Sequence, residues 1–141
     1  MDTSFALILQ SLGAGLPLLL LHFGATLLLF VVGVAIYVYV TPLHERELLA
    51  EGNAAAGVVL GGTMVALAIP LAATLATSEA LADILVWGAI ALLVQLITFL
   101  VAIRLFRDLR SMIESGNVAA GTTLAGLHIA VALINAGAMA G

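Results

Sequence analysis

The sequence predicts an all-α membrane protein with four transmembrane helices, and two observations lead to this fold class. Of the 141 residues, 64% are hydrophobic and 9% are charged, and the mean hydropathy is +1.28. Soluble domains are about half apolar and about one-quarter charged, so water is not the main solvent of this chain. The second observation is that the apolar residues form four uninterrupted stretches, at 16–39, 53–76, 81–106 and 117–140.

Each apolar stretch is long enough to cross a bilayer once, because about 20 residues at about 1.5 Å per residue span about 30 Å of hydrocarbon. Helices are preferred to strands, since a single span in lipid must satisfy its own backbone hydrogen bonds. The short alternating segments of outer-membrane barrels are also missing from the sequence. We therefore expect a single membrane domain over 1–141 that has the lipid bilayer as its main partner.

The N-terminus is expected to be retained and to begin with a short interfacial helix. Residues 1–4 carry no basic side chain, and no clear cleavage site follows them, which argues against a signal peptide. The apolar run at 5–12 is followed by Gly-Ala-Gly at 13–15. Pro17 then stands where the first turn of a helix tolerates proline. The pattern predicts an interfacial helix over 5–12 and a first span that starts near Pro17.

All four basic residues are arginines, and they lie in two loops on the same side of the predicted membrane. Arg46 lies between spans one and two, while Arg104, Arg107 and Arg110 lie at the end of span three and in the loop after it. The positive-inside rule places these loops in the cytoplasm and both termini in the periplasm. Four scattered arginines do not form a patch that would neutralise a nucleic-acid backbone, so nucleic acid is not an expected partner.

An internal repeat appears when the chain is shifted by 64 residues. The shift places Asn53 on Asn117, each preceded by glycine, and it places Arg46 on Arg110. The two asparagines are expected to be the N-caps of spans two and four. A unit of two spans returns to its starting side, so the repeats run parallel about an axis near the membrane normal. The predicted repeats cover about 16–77 and about 80–141.

Spans two and four are rich in glycine and alanine, and we expect them to form the inner contact of the bundle. Small residues let helix backbones approach closely in membranes. The predicted packing positions are Gly57 and Gly61 in span two and Gly121 and Ala125 in span four. The same small-residue surfaces predict a homo-oligomer.

His128 is the first of the candidate polar residues, and it lies near the bilayer midplane. Its charge changes near neutral pH, so one interpretation is a proton relay or part of a polar path. The alternative is a neutral imidazole that is hydrogen-bonded to a neighbouring helix. Gln95 of span three lies at similar depth and is the expected partner.

A second group of polar residues is predicted in the outer third of the membrane. It consists of Asn135, His22, Trp87, Asp83 and Glu79. Together these residues would line an outward-facing polar vestibule. The alternative is that Asn135 makes an ordinary interhelical hydrogen bond and that Trp87 belongs to an interfacial aromatic belt.

Catalysis and cofactor binding have no support in the sequence. There is no His-Glu-x-x-His metal motif, no Gly-x-Ser-x-Gly elbow, no phosphate loop and no cysteine. A haem held by His22 and His128 is disfavoured because the two differ in expected depth by about 12 Å at helical rise. We therefore expect no enzyme, no metal site and no cofactor.

Several short motifs lie along the chain after span one. They are Thr-Pro at 41–42, the runs 51–56 and 114–121, Ile-Pro-Leu-Ala at 69–72 and Ile-Asn-Ala at 134–136, together with Asp83, Trp87 and Gln95. These motifs resemble those of the YjfL-like bacterial inner-membrane proteins, which form the domain of unknown function 350 family. The resemblance runs from about residue 16 to the C-terminus and implies a duplicated four-span protein of the bacterial inner membrane without established activity. By association it implies envelope-stress proteins as partners.

Two functional hypotheses follow, from different classes. The first is an oligomeric membrane module that supports envelope maintenance or the stress response, and it rests on the glycine and alanine seam. The second is a small channel or transporter whose polar path runs through His128, Gln95 and Asn135. Flux through the purified protein in liposomes distinguishes them.

Overall fold

Six helices form the part of the chain described by the computed structural model, which covers residues 2–141 with side chains from residue 5 onward. Met1, where the predicted periplasmic N-terminus begins, lies outside the described residues. The chain over this range is almost entirely helical, as predicted. The helices are α1 (Asp2–Val40), α2 (Glu45–Ala50), α3 (Ala54–Thr77), α4 (Leu81–Leu105), α5 (Leu109–Glu114) and α6 (Val118–Ala140).

Four of these helices, α1, α3, α4 and α6, are long and apolar enough to cross a membrane. The prediction of four spans is therefore confirmed. The short helices α2 and α5 connect α1 to α3 and α4 to α6 at one end of the bundle. We call this end the arginine end, because all four arginines lie there, and the other the distal end.

The prediction of a separate interfacial helix is wrong, because α1 runs without interruption from Asp2 to Val40. The glycines at 13 and 15 do not have positive φ, so nothing turns the backbone out of the helix. Pro17 lies inside the helix, where it removes one backbone hydrogen bond and does not mark the start of a span. At about 58 Å, the helix is longer than the hydrocarbon core is thick.

The central packing of the bundle is the contact between α3 and α6, which is the most extensive between any two helices. The two helices run parallel, and both hydrogen bonds that join their side chains connect residues 65 positions apart. A Cβ added to Gly121 would lie 2.7 Å from the carbonyl oxygen of Ala55. A Cβ on Gly62 would overlap that of Ala125. The expectation that spans two and four form the inner contact is therefore confirmed, and so are the positions of Gly121 and Ala125.

The two packing positions predicted on α3 are wrong. A Cβ added to Gly57 would meet only the side chain of Leu49, before α3, and one added to Gly61 would meet nothing within 4 Å. Because α3 packs against α1 and α4 as well as α6, its buried side is turned away from these glycines. Ala55 and Gly62 provide the close approaches instead.

Both predicted N-caps are present and have nearly the same geometry. The Asn53 side chain accepts a hydrogen bond from Ala56 N at 3.0 Å, and the Asn117 side chain accepts one from Ala120 N at 3.2 Å. The glycine before each asparagine has a φ of 80° or 86°, which favours glycine on steric grounds. The predicted repeat itself stays a prediction, but this feature is common to both halves.

The buried apolar core lies in the half of the bundle nearest the arginine end. It joins the end of α1 and both short helices to α3, α4 and α6. Tyr37 and Phe99 are its largest members, with ring centroids 4.8 Å apart in an edge-on arrangement. The polar residues described next lie within and beside this core.

Candidate functional site

Six buried polar residues meet inside the bundle, and we call them the core cluster. They come from α1, the α1–α2 connection, α2, α3, α4 and α6, so one residue of each segment points to the same region. Such residues are expensive to bury and are few in membrane interiors. The members are Tyr37, Thr41, Glu45, Thr63, Gln95 and His128.

Glu45 is a fully buried carboxylic acid at the start of α2. Its Oε1 accepts a hydrogen bond from the Thr41 hydroxyl at 3.1 Å. Among side chains from residue 5 onward, the one ion pair joins Arg110 to Glu114, so no cation pairs with Glu45. Burial raises the pKa of the Glu45 carboxyl above its usual range, although the hydroxyls of Tyr37 and Thr41 act in the opposite direction.

Tyr37 places a hydroxyl between this acid and the middle of the bundle. The residue is 2% exposed, and its hydroxyl lies beside Glu45 and Thr63. That hydroxyl has no hydrogen-bond partner at ordinary distance. A phenol both donates and accepts hydrogen bonds, so Tyr37 can pass a proton by accepting one while it donates its own.

His128 has both ring nitrogens engaged in the middle of α6. Nε2 lies 3.0 Å from the backbone carbonyl oxygen of Gln95, which can only accept, so Nε2 carries the proton. In the neutral ring Nδ1 is then an acceptor, and the Thr63 hydroxyl, 3.3 Å away, donates to it. Protonation of Nδ1 would require Thr63 to turn its hydroxyl, which is the response expected of a relay.

Gln95 completes the cluster on α4. Its Nε2 donates to the carbonyl oxygens of Ala66, at 3.0 Å, and of His128, at 3.3 Å. The predicted partnership of His128 and Gln95 is therefore confirmed, since each side chain bonds to the other's backbone carbonyl. Gln95 Oε1 is buried without a donor, which leaves one free acceptor in the middle of the membrane.

A second polar region lies at the distal end, in a cavity of about 560 Å³ that we call the vestibule. It brings together three of the five residues predicted there. Glu79 is exposed and does not line it. His22 does not line it either and is half-buried on α1, where its carbonyl accepts a hydrogen bond from the Thr26 hydroxyl. The lining residues are Thr74, Thr77, Asp83, Trp87, Ile90, Asn135, Ala138 and Met139.

A dry layer separates the vestibule from the core cluster. On α6, the fully buried residue between His128 and Asn135 is Ala132. The Asn135 side chain donates to the carbonyl oxygen of Ala91, which is also fully buried. His128 and Asn135 are therefore about 10 Å apart along the helix, with alanine between them.

An apolar cavity of about 320 Å³ lies between α1 and α4 and reaches Tyr37 and His128. Gly33 lets α1 and α4 approach each other closely beside this cavity, because a Cβ at that position would lie 2.7 Å from the side chain of Leu92. The other lining side chains are leucine, valine, isoleucine and alanine. The cavity therefore suits hydrocarbon and gives the core cluster no obvious route to water.

Sequence reasoning missed Glu45, Tyr37 and Thr63. The acid follows the helix end in a segment that was expected to be a cytoplasmic loop, yet Leu43 is 1% exposed and draws the segment into the bundle. The apolar residues of this segment were the one feature of the sequence that could have indicated its burial. Thr63 was missed because the repeat offset places Met64, its neighbour, opposite His128.

Comparison with known proteins gives one family and two relatives. Residues 11–139 match the family model described as Domain of Unknown Function (DUF350). The chain is 33% identical over 118 residues to the UPF0719 inner membrane protein YjfL of Escherichia coli (strain K12), which covers 78% of this chain and 89% of that protein. The protein of the same name from Escherichia coli O157:H7 matches with the same values. No solved structure matches the chain.

Proposed function

The chain belongs to the DUF350 family of multi-pass inner-membrane proteins, and from this premise we propose that it is a small transporter that carries protons through the core cluster. This proposal develops the second hypothesis from the sequence, a small channel or transporter, but it extends the polar path towards the arginine end. Its path includes Glu45, Tyr37 and Thr63 in addition to His128 and Gln95. Asn135 lies at its distal exit.

The observation that carries the proposal is the burial of Glu45 without a cation. An ionisable side chain inside a membrane bundle is costly, and such residues commonly mark proton or ion paths. The raised pKa of this carboxyl favours the protonated form, so the acid can hold a proton that it later releases. Tyr37 is placed beside it to receive that proton.

The path continues through groups that both donate and accept. The Tyr37 hydroxyl passes a proton to Thr63, and Thr63 passes its own to Nδ1 of His128. Nε2 of the imidazolium donates a hydrogen bond to the backbone carbonyl oxygen of Gln95, which is not a base, so the ring keeps its extra proton until water reaches it from the distal end. The Tyr37 hydroxyl must first come within hydrogen-bond distance of its two neighbours, and each transfer then makes and breaks only O–H and N–H bonds.

The dry layer beyond His128 favours a transporter over an open pore. A proton at His128 has about 10 Å of apolar packing between it and Asn135. Water reaches His128 from the distal end only if α6 moves relative to α4. The conformation described is therefore an occluded state of the proposed cycle.

Proton flux into liposomes tests the proposal. The purified protein is reconstituted into vesicles that contain a pH-sensitive dye, and a potassium gradient with valinomycin supplies the driving potential. The native chain is expected to acidify the vesicles faster than protein-free liposomes do. Glu45→Gln is expected to slow this at least about tenfold, because a positioned acid–base group usually contributes more than that to proton transfer.

The matched control is Glu47→Gln, which removes an exposed acid from the same short helix and should leave the flux unchanged. Native flux no faster than protein-free liposomes would contradict the proposal. So would a Glu45→Gln protein that is folded and conducts protons at the native rate.

The oligomeric module is a second candidate, supported by the outward face of α3. Gly61 is exposed with open space around it, and Ala68 and Ala72 are also exposed. Small residues on a lipid-facing helix allow a second copy to approach closely. In this proposal the assembly supports envelope maintenance, with envelope-stress proteins as partners.

Subunit counting by photobleaching in lipid nanodiscs tests the assembly. Gly61→Leu is expected to shift the native oligomer to monomers, whereas Gly24→Leu, at an exposed glycine of α1 with open space around it, should not. A native chain that counts as one subunit, or an oligomer that survives Gly61→Leu, rejects this candidate.

A further inference from the structure

The vestibule has the electrostatics of a cation site. Asp83 is its one charged lining residue, and the chain's four basic residues all lie at the arginine end, at 46, 104, 107 and 110. The last turn of α3 supplies Thr74 and Thr77 to the wall. Carbonyl groups at a helix C-terminus carry partial negative charge, so a positive ligand is favoured there.

The remaining walls favour an organic cation over a metal ion. Trp87 lies one helical turn after Asp83, and Ile90 and Met139 add apolar surface. Indole rings bind alkylated ammonium groups through the ring face. No group of three or more histidine or acidic side chains that would hold a metal ion occurs in the described part of the chain.

Asn135 supplies the directional contact. Its Nδ2 donates to the carbonyl oxygen of Ala91 at 3.5 Å, so its own side-chain oxygen is available to accept. A primary ammonium has three N–H donors, which Asp83 and Asn135 would share from two different helices. The cavity of about 560 Å³ is of the size that small-molecule sites usually have.

We propose that the vestibule binds a small primary alkylammonium cation, with Asp83 as the counter-charge, Asn135 as hydrogen-bond acceptor and Trp87 packed against the alkyl chain. This deepens the proposed function, because it names the class of solute that a proton would be exchanged for. Only the transport step rests on the proposed function. The binding itself rests on the cavity.

The chain contains a single tryptophan, Trp87, so its fluorescence reports on the vestibule directly. The full chain reconstituted into liposomes is titrated with n-butylammonium chloride at constant ionic strength, with sodium chloride as the matched salt. A saturable change in emission is expected for butylammonium and none for sodium. Asp83→Asn is expected to weaken binding about tenfold or more, since it removes the charge from a hydrogen-bonded ion contact.

Glu79→Gln is the matched control, because it removes an exposed acid at the same end of the bundle that does not line the vestibule. It should keep the native affinity, and Asn135→Leu should lower it. The absence of a saturable change in the native protein overturns the site, and so does equal weakening by Glu79→Gln and Asp83→Asn. Binding without proton flux in liposomes supports the cation site and contradicts the proposed transport. Proton flux without binding supports the transport and contradicts the cation site.

Discussion

The two halves of the chain share their turns and caps but differ at nearly every buried polar position. Both halves carry a glycine with positive φ followed by an asparagine cap, at 52–53 and 116–117. In contrast, each member of the core cluster has an apolar residue 64 positions away. These pairs are Tyr37 and Val101, Thr41 and Leu105, Glu45 and Leu109, Thr63 and Leu127, Gln95 and Val31, and His128 and Met64.

The same contrast holds in the vestibule. Asp83, Trp87 and Asn135 correspond to leucine, phenylalanine and leucine at positions 19, 23 and 71. The residues that the two halves share, a glycine and an asparagine cap, thus determine where helices end and begin, and so they determine the shape of the bundle. The unshared residues supply the polar groups of the core cluster and of the vestibule. The chain therefore has one core cluster and one vestibule where two identical halves would have two of each.

The largest expected difference in stability is between variants of Gly57 and Gly121, which occupy corresponding positions at the offset of 64 residues. Gly121→Ala is expected to lower the free energy of unfolding by about 3 kcal/mol, because its Cβ would lie 2.7 Å from a backbone oxygen that cannot rotate away. Gly57→Ala should change it by less than about 0.5 kcal/mol, since its nearest neighbour is the end of a leucine side chain at 3.5 Å. Unfolding of the purified proteins in mixed micelles measures the free energy of unfolding of both variants. Equal losses would contradict the conclusion that the two glycines lie in different environments.

The next effect concerns Glu45, whose counterpart is Leu109. Because burial raises the pKa of Glu45 in the folded chain, its contribution to stability is fully present below the unfolded pKa and is lost as pH rises through the folded value. The thermal midpoint in detergent should therefore fall as the pH rises above about 4.3, the ordinary pKa of a glutamate side chain. The groups that face Glu45 are Tyr37, Thr41 and His44.

Glu45→Gln should flatten this pH dependence, because an amide does not titrate. Glu47→Gln, the exposed neighbour on α2, should keep it. A Glu45→Gln protein with the native slope would show that another group is responsible.

A smaller difference is expected between the two caps. Asn53 also donates through Nδ2 to the carbonyl oxygens of Ile113 and Glu114, at 2.9 and 3.1 Å, and so ties α3 to the end of α5. Asn53→Ala should therefore cost about 1 kcal/mol more than Asn117→Ala in the same unfolding assay. Asn53→Asp keeps the cap and loses only these donors, so it should cost less than Asn53→Ala. Equal costs for the two alanine variants would mean that the tie to α5 contributes nothing.

The smallest effect is expected at Thr63. Thr63→Val removes the hydrogen bond to Nδ1 of His128 and should cost about 0.6 kcal/mol, the average for such bonds in membranes. Thr122→Val is the control, since Thr122 is exposed and bonds only to its own helix. A loss no greater than that of the control would indicate that Thr63 and His128 do not interact.

The sequence was a good guide to the spans and caps because these depend on local composition. Runs of apolar residues determine the crossings, and an asparagine after a glycine determines where α3 and α6 begin. The pairing of His128 with Gln95 followed from depth alone. Each of these inferences needs only distance along one helix.

The sequence was a poor guide wherever rotation about a helix axis mattered. Gly57 and Gly61 belong to the right helix but face away from α6, because α3 also packs against α1 and α4. Glu45 looked like a loop acid because charged residues are usually solvated. Only the packing of the residues around it shows that it is buried.

The most direct test of the account is proton flux by a chain whose core cluster carries the residues of the other half. Glu45→Leu combined with His128→Met makes two of these six exchanges without introducing a new polar group. If the polar path is the site of transport, the double variant remains helical by circular dichroism and its flux in liposomes falls to the protein-free background. Flux at the native rate in the folded double variant would contradict the account.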